Sequence, residues 1–380
     1  MIYVVPKGID LGGIITSSEN LVAAAKELGV DVTFFYLSPT FNSQKQRPAP
    51  DENYTYSEAT DMWVHPVKGW KGAHVIDLEN SYSVGEFIDE CNSADLVVWG
   101  ALYGLNNSTY EKHPQYIKQM FDYLTSKQVA FVRDDHMFKR HPWAREIAPH
   151  IDLWACVQQI SYDSIPPDYP KVIVSSGHDL STKNIVPWSD KLDQICMIQT
   201  FKPWKKAEEL VRQVPRLARG WRIVLGGDGI ARRYMASKDK CPDKFKNSDG
   251  VPIWETALAS GMVWNPSMSK TQRDFCLEDS KFLVDMSEKS TGGQINRIVI
   301  EAMLKGAVPL CKHSFVEGTG MKAWVNYVPV QEKTLVDTIL NFEEPVFTEI
   351  QQNNEEYVKQ HDRLDTIKTL LGVCDESARA

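Results

Sequence analysis

The sequence predicts an α/β protein made of two Rossmann-like domains that face one another across a central cleft. Three observations carry this expectation. Short apolar runs such as Asp95-Leu96-Val97-Val98-Trp99-Gly100 and Trp221-Arg222-Ile223-Val224-Leu225 read as parallel strands buried on both faces. Segments of helical periodicity alternate with such runs along most of the chain. The 380 residues, 43% of them apolar, favour two domains of ordinary size over one and suffice to bury large cores.

Taken in order, Ile2–Val5 is a buried strand. Residues 10–18 form a polar loop with Gly12 and Gly13, 19–28 a helix ended by Gly29, and 32–37 a second strand, which together make a βαβ opening. Residues 39–74, rich in Pro, Asn, Asp, Tyr and Trp, show little periodicity and read as an extended excursion. A helix over 84–91 leads to the strand at 95–100; a helix over 116–124 and strands at 129–132, 153–157 and 171–174 follow. A polar segment at 184–193 separates these from a second sheet, with strands at 195–199, 221–225 and 262–264 and helices at Ala207–Leu217 and 253–258. The polar and aromatic run 281–291 reads as a connection to a helix over 294–304 and the strand Val308–Cys311. Helices at 335–340 and 354–371 close the chain. The expected domains are 1–183, 184–345 and a C-terminal helical segment, 346–380.

Composition narrows the function classes. The seven cysteines lie far apart, with no CxxC pair and no His/Cys cluster at zinc spacing, so they read as buried thiols in a reducing compartment, and no metal site is expected. The chain opens on a strand without a basic leader, and no stretch is apolar enough to span a bilayer; a soluble, cytoplasmic monomer is expected, with no membrane partner. The formal charge of -8 is uneven. Residues 202–246 hold thirteen Lys or Arg against five Asp or Glu, a local +8 against -16 elsewhere. A phosphate-rich ligand would seek that stretch; a solvated helical face is the plainer explanation.

Several constellations point to chemistry. Gly12 and Gly13 stand in the first strand-to-helix loop, where a missing side chain lets a ligand approach backbone N–H groups, or simply permits a tight turn. The spacing is not GxGxxG and the second strand ends Tyr36-Leu37-Ser38 without an acidic residue, which argues against a dinucleotide. Arg133-Asp134-Asp135-His136 follows a central strand at its carboxyl end, where open α/β sheets bind ligands. Asp135 beside His136 suits the orientation of a hydroxyl, removal of its proton or a hold on a sugar; a salt-bridged loop is the alternative. Lys139, Arg140, His141 and Arg145 continue the segment with positive charge. Lys202 and Lys205 follow the first strand of the second sheet, where cations would neutralise a diphosphate. Gly226-Gly227-Asp228-Gly229 ends the next strand, with Arg232 and Arg233 after it. Ser290-Thr291-Gly292-Gly293 precedes a helix in which Glu301 sits among apolar residues. A carboxylate there needs a partner. Ribose hydroxyls would serve, and so would Arg297, one turn earlier.

The run Glu301-Ala302-Met303, followed by Gly306 and Pro309, resembles the nucleotide-sugar glycosyltransferases of the GT-B fold, whose retaining members carry a ribose-binding glutamate at that place. They commonly show a second glutamate eight positions earlier, which falls here on Gly293. Within the group the chain looks most like the bacteriophage DNA glycosyltransferases of the alpha-glucosyltransferase type, through its first glycine loop, Asp135-His136, Trp204-Lys205 and the Glu301 segment. The resemblance implies a UDP-sugar donor, no obligatory metal, and transfer with retention to the hydroxyl of 5-hydroxymethylcytosine in double-stranded DNA, with the base flipped out, in the cytoplasm of an infected cell. It implies catalytic roles for Asp135 and His136. It places Lys202 and Lys205 on the diphosphate, Lys202 standing in for an arginine that the family has near Thr200. Gly13, Gly227, Asp228, Gly292, Gly293, Arg297 and Glu301 would complete the donor site. Tyr54, Tyr56, Trp63 and Trp70 would stack against DNA or wedge into it. A glycan, lipid or protein acceptor, a non-catalytic DNA-binding protein on the same scaffold, and a nucleotide-sugar epimerase are the alternatives.

Overall fold

Apolar runs and helices assemble into two parallel sheets, each in its own unit. The computed structural model describes residues 1–5, 13–38, 55–57, 62–64, 73–77, 81–100, 102, 114–132, 138, 143–227, 229–237, 241–288 and 295–376. One unit comprises Met1–His178 and His361–Ala380, the other Asp179–Gln360.

In the first unit β1 (Ile2–Val5), β2 (Thr33–Ser38), β5 (Ala73–Asp77), β6 (Leu96–Trp99), β7 (Lys127–Val132), β8 (Leu153–Cys156) and β9 (Lys171–Ile173) form a parallel sheet in the order β5-β2-β1-β6-β7-β8-β9. Chain order reverses at β1, as in doubly wound folds. Period-two alternation sends Ile2, Val4, Val97 and Trp99 into one core layer and Tyr3, Val5, Leu96 and Val98 into the other. The first helix, Gly13–Glu27, begins six residues before the position its periodicity suggests, so Gly13 is its first residue and not a loop glycine. The 39–74 excursion ends in an edge strand: β5 pairs with β2 from Phe34↔Ala73 to Ser38↔Asp77. A small antiparallel hairpin, β3 (Thr55–Ser57) and β4 (Met62–Val64), lies within the excursion.

The second unit holds β10 (Leu192–Ile198), β11 (Arg222–Gly226), β12 (Val263–Asn265), β13 (Ser280–Asp285), β14 (Val308–Cys311) and β15 (Val328–Pro329), in the order β12-β11-β10-β13-β14-β15 and parallel throughout. Here the expectation for 281–291 fails, because its first part is a central strand with all six residues of β13 buried. Only Phe282, Leu283 and Val284 are apolar, and the polar ends are hidden by partners. Ser280 donates to the Cys276 carbonyl at 2.6 Å, and Lys281 pairs with Asp193 at 2.6 Å and lies 3.8 Å over the Trp188 ring. Six cysteines are free and buried. Among the described residues no helix is long and apolar enough to cross a membrane.

The C-terminal segment does not stay together. Glu344–Lys359 belongs to the second unit, whereas Arg363–Glu376 returns to the first, where Ile367 and Leu370 join a core layer of its sheet. The return is stitched by a short parallel bridge. His178 N–H donates to the His361 carbonyl at 2.8 Å, and Arg363 N–H donates to the His178 carbonyl at 2.9 Å. Burial pushes the His361 imidazole down to about 4. A histidine depressed in the fold is protonated first in the unfolded chain, so stability is lost as pH falls from the ordinary value near 6.5 through 4. The loss amounts to about 3 kcal/mol. Denaturant titrations of wild type and His361→Gln between pH 7 and 4 check this. The variant should lack that share of the acid sensitivity, and parallel curves would exclude His361 as its source.

Candidate functional site

The best-defined chemistry gathers at the carboxyl edge of the second sheet. β10 ends at Ile198, and after Phe201 the chain makes the 3-10 turn Pro203–Lys205 before the helix Ala207–Leu217. Phe201 is fully buried in the core and anchors this loop. Lys206, in the left-handed conformation at φ 49°, redirects the chain into the helix. The turn leaves Lys205 buried at 8% exposure, its ammonium 4.3 Å from the centre of the Trp204 ring. No carboxylate pairs with it among the described residues. Burial pushes its ammonium below the ordinary lysine value; the nearby Asp285 carboxylate opposes that shift, and Lys202 adds to it. Lys202 itself is exposed. A buried cation that no carboxylate pairs with directly among the described residues is costly, so this arrangement is poorly explained by stability and well explained by an anionic ligand.

Asp285 ends β13 and is 1% exposed. One carboxylate oxygen accepts from Ser287 N–H at 3.1 Å and from the Ser287 hydroxyl at 2.5 Å, and the other from the Asn296 amide at 2.5 Å. Just beyond, Glu288 N–H donates to the Trp204 carbonyl at 3.1 Å, while its carboxylate pairs with Lys206 at 3.1 Å. The exit of β13 therefore carries the turn that presents Lys205. Sequence reading missed Asp285 because it missed the strand. The available signal was an acidic residue at the carboxyl end of a short apolar run.

Glu301 lies on the helix Arg297–Leu304, 13% exposed at its side chain. Both of its oxygens are engaged. Arg297 Nε donates to one at 2.9 Å, which realises the i,i+4 pair, and Arg273 Nε from the helix Lys270–Asp279 lies 3.2 Å from the other. A carboxylate held between two guanidinium groups is fixed in direction, and its oxygens retain lone pairs for hydroxyl donors. Arg273 was not foreseen, since its contact spans two helices. Gly306 closes the helix at φ +75°, and a Cβ there would sit 2.9 Å from the Val186 carbonyl.

Gly227 has φ +107°, and a Cβ would lie 2.2 Å from the Gln199 carbonyl, so close backbone packing explains it. Its N–H already donates to the Asn265 carbonyl at 2.9 Å and so is not poised for a phosphate, while its carbonyl accepts from the Trp264 indole at 2.9 Å. Gly13 starts a helix in the first unit. Asp135, His136, Asp228, Gly292 and Gly293 lie outside the described residues, as do Lys139, Arg140 and His141.

The basic excess of 202–246 is much reduced by the fold. Lys206 pairs with Glu288, Arg212 with Glu332 at 3.1 Å and Arg216 with Asp337 at 3.5 Å, all acids from outside the stretch, while Lys246 pairs with Asp243 inside it. Arg232 lies 4.8 Å over the Trp264 ring. No group of acidic, histidine or cysteine side chains among the described residues could hold a metal ion.

By sequence, no family model matches the chain and no curated protein matches it. By structure, it is similar to the Anabaena protein Alr3699/HepE in complex with UDP and glucose, with a TM-score of 0.67 at 10% identity over 99% of both chains. It is also similar to an alpha-glucosyltransferase in complex with UDP-glucose and DNA containing an abasic site, at 0.67 and 13% identity over 98% of each chain. The same enzyme type with UDP and a 13-mer DNA containing a HMU base gives 0.68 at 12% identity, again over 98% of each. At such identities the likeness establishes the fold, which is GT-B, with two Rossmann-like domains.

Proposed function

We propose that the chain is a glycosyltransferase that moves a sugar from a UDP-sugar to a hydroxyl group, with UDP leaving. The observation that carries this reading is the buried ammonium of Lys205, which no carboxylate pairs with among the described residues, at the carboxyl edge of the second sheet, the place where α/β folds receive ligands. The structural neighbours bound to UDP and UDP-glucose support it. The diphosphate would be met by Lys205 and by the exposed Lys202, and the ribose by Glu301. Charge grows on the diphosphate as the glycosidic bond breaks, and a fixed cation that strengthens with that charge lowers the barrier. Lysine charge does this without a metal. Asp135 and His136, beyond the end of β7, are assigned to the acceptor or the transferred sugar, and transfer proceeds with retention.

For the acceptor we propose the hydroxymethyl group of 5-hydroxymethylcytosine in double-stranded DNA, supported by neighbours in complex with DNA. Local pairing of Lys206, Arg212, Arg216 and Lys246 favours the second reading, a glycan, lipid or protein acceptor, because surface cations already matched by carboxylates attract phosphates less. Incubation with labelled UDP-sugars and duplexes containing cytosine, 5-hydroxymethylcytosine or 5-hydroxymethyluracil separates the two. Label is expected on the hydroxymethylated duplexes alone. UDP release without label on any DNA supports the second reading, and neither release nor UDP binding removes both.

A further inference from the structure

The side chain of Asn296 occupies the N-cap position of the helix Arg297–Leu304, and asparagine is among the best capping residues, yet it makes no capping bond there. It is turned instead to Asp285, to which its amide donates at 2.5 Å. The other Asp285 oxygen holds Ser287 by backbone and hydroxyl, and the next residue, Glu288, is bonded to the Trp204 carbonyl and to Lys206. One buried carboxylate thus ties together the turn that presents Lys205 and the start of the helix that carries Glu301.

We propose that Asp285 is a positioning residue for the nucleotide: through Ser287 and the adjoining Glu288 it seats the turn that presents Lys205. This rests on the UDP-sugar reading. Asp285 also supplies negative charge that opposes the loss of proton affinity which burial imposes on Lys205. Among the described residues, the charged or titratable groups that act on that ammonium are Asp285 from β13, Cys311 from β14 and Lys202 from its own loop.

The test is UDP binding by the full chain, followed by calorimetry from pH 7 to 10. Asp285→Ala is expected to weaken UDP about tenfold and to move the alkaline loss of affinity to lower pH. An Asp285→Ala protein that binds like wild type overturns the proposal. If Asp285→Ala fails to fold, Asp285→Asn keeps the shape and removes the charge; its alkaline loss must still move to lower pH, and an unmoved profile overturns the proposal. Absence of UDP binding by the wild-type chain defeats the UDP-sugar reading and this inference with it, whereas full binding by Asp285→Ala defeats this inference alone.

Discussion

Replacing Lys205 with methionine is expected to make the protein more stable and nearly blind to UDP. Methionine matches the length of the lysine stem and suits a site that is 8% exposed beside the Trp204 ring. Because burial lowers the lysine's proton affinity below its unfolded value, the charged form disfavours the fold at neutral pH. Removing that charge should raise unfolding stability by about 1–3 kcal/mol. Binding should move the other way. Losing a desolvated cation that meets a diphosphate costs about 2–4 kcal/mol, so UDP affinity should fall roughly 30- to 1000-fold. The pH dependence follows with a definite sign. Diphosphate favours the protonated lysine, so wild-type affinity declines as pH rises through the lowered pKa of free Lys205, and the methionine variant shows no such decline. Thermal melts and UDP titrations over pH check both halves. A destabilised variant with unchanged affinity would mean that the ammonium serves the fold.

The opposition between stability and binding also explains what the sequence made legible. Strands such as Leu96–Trp99 and Val308–Cys311 were evident because burial on both faces writes itself as an unbroken apolar run. β13 was not, since Ser280, Lys281 and Asp285 break the run and their partners lie far away in sequence. The helix Lys270–Asp279 escaped notice for a related reason. Its capping box, Ser269 with Gln272, is present, but Cys276 and Leu277 are its only buried residues. Among the site residues, Lys205 stood out as a cation just past a strand and Glu301 as a charge among apolar residues, properties a sequence displays. Arg273 and Asp285 act through contacts between elements distant along the chain, which a sequence does not display. Gly227 shows the converse, a suggestive motif whose conformation is explained by the Gln199 carbonyl.

For Glu301, the two arginines and the ribose make separable demands, and a nucleotide lacking one hydroxyl separates them. Glu301→Ala leaves Arg297 and Arg273 without their shared carboxylate, so some loss of stability is expected whatever the ligand. It also removes one negative charge near an anionic ligand, which by itself would tighten binding of any nucleoside diphosphate. Comparison of UDP with 2′-deoxy-UDP and 3′-deoxy-UDP cancels both effects, since charge and fold are common to all three. If the carboxylate accepts ribose hydroxyls, wild type should prefer UDP over at least one deoxy form by about 10- to 100-fold, the worth of a hydrogen bond to a charged group. Glu301→Ala should bind all three nearly alike. A preference that survives the substitution would show that Glu301 is only the anion between two guanidinium groups, and the ribose would have to be sought on another residue.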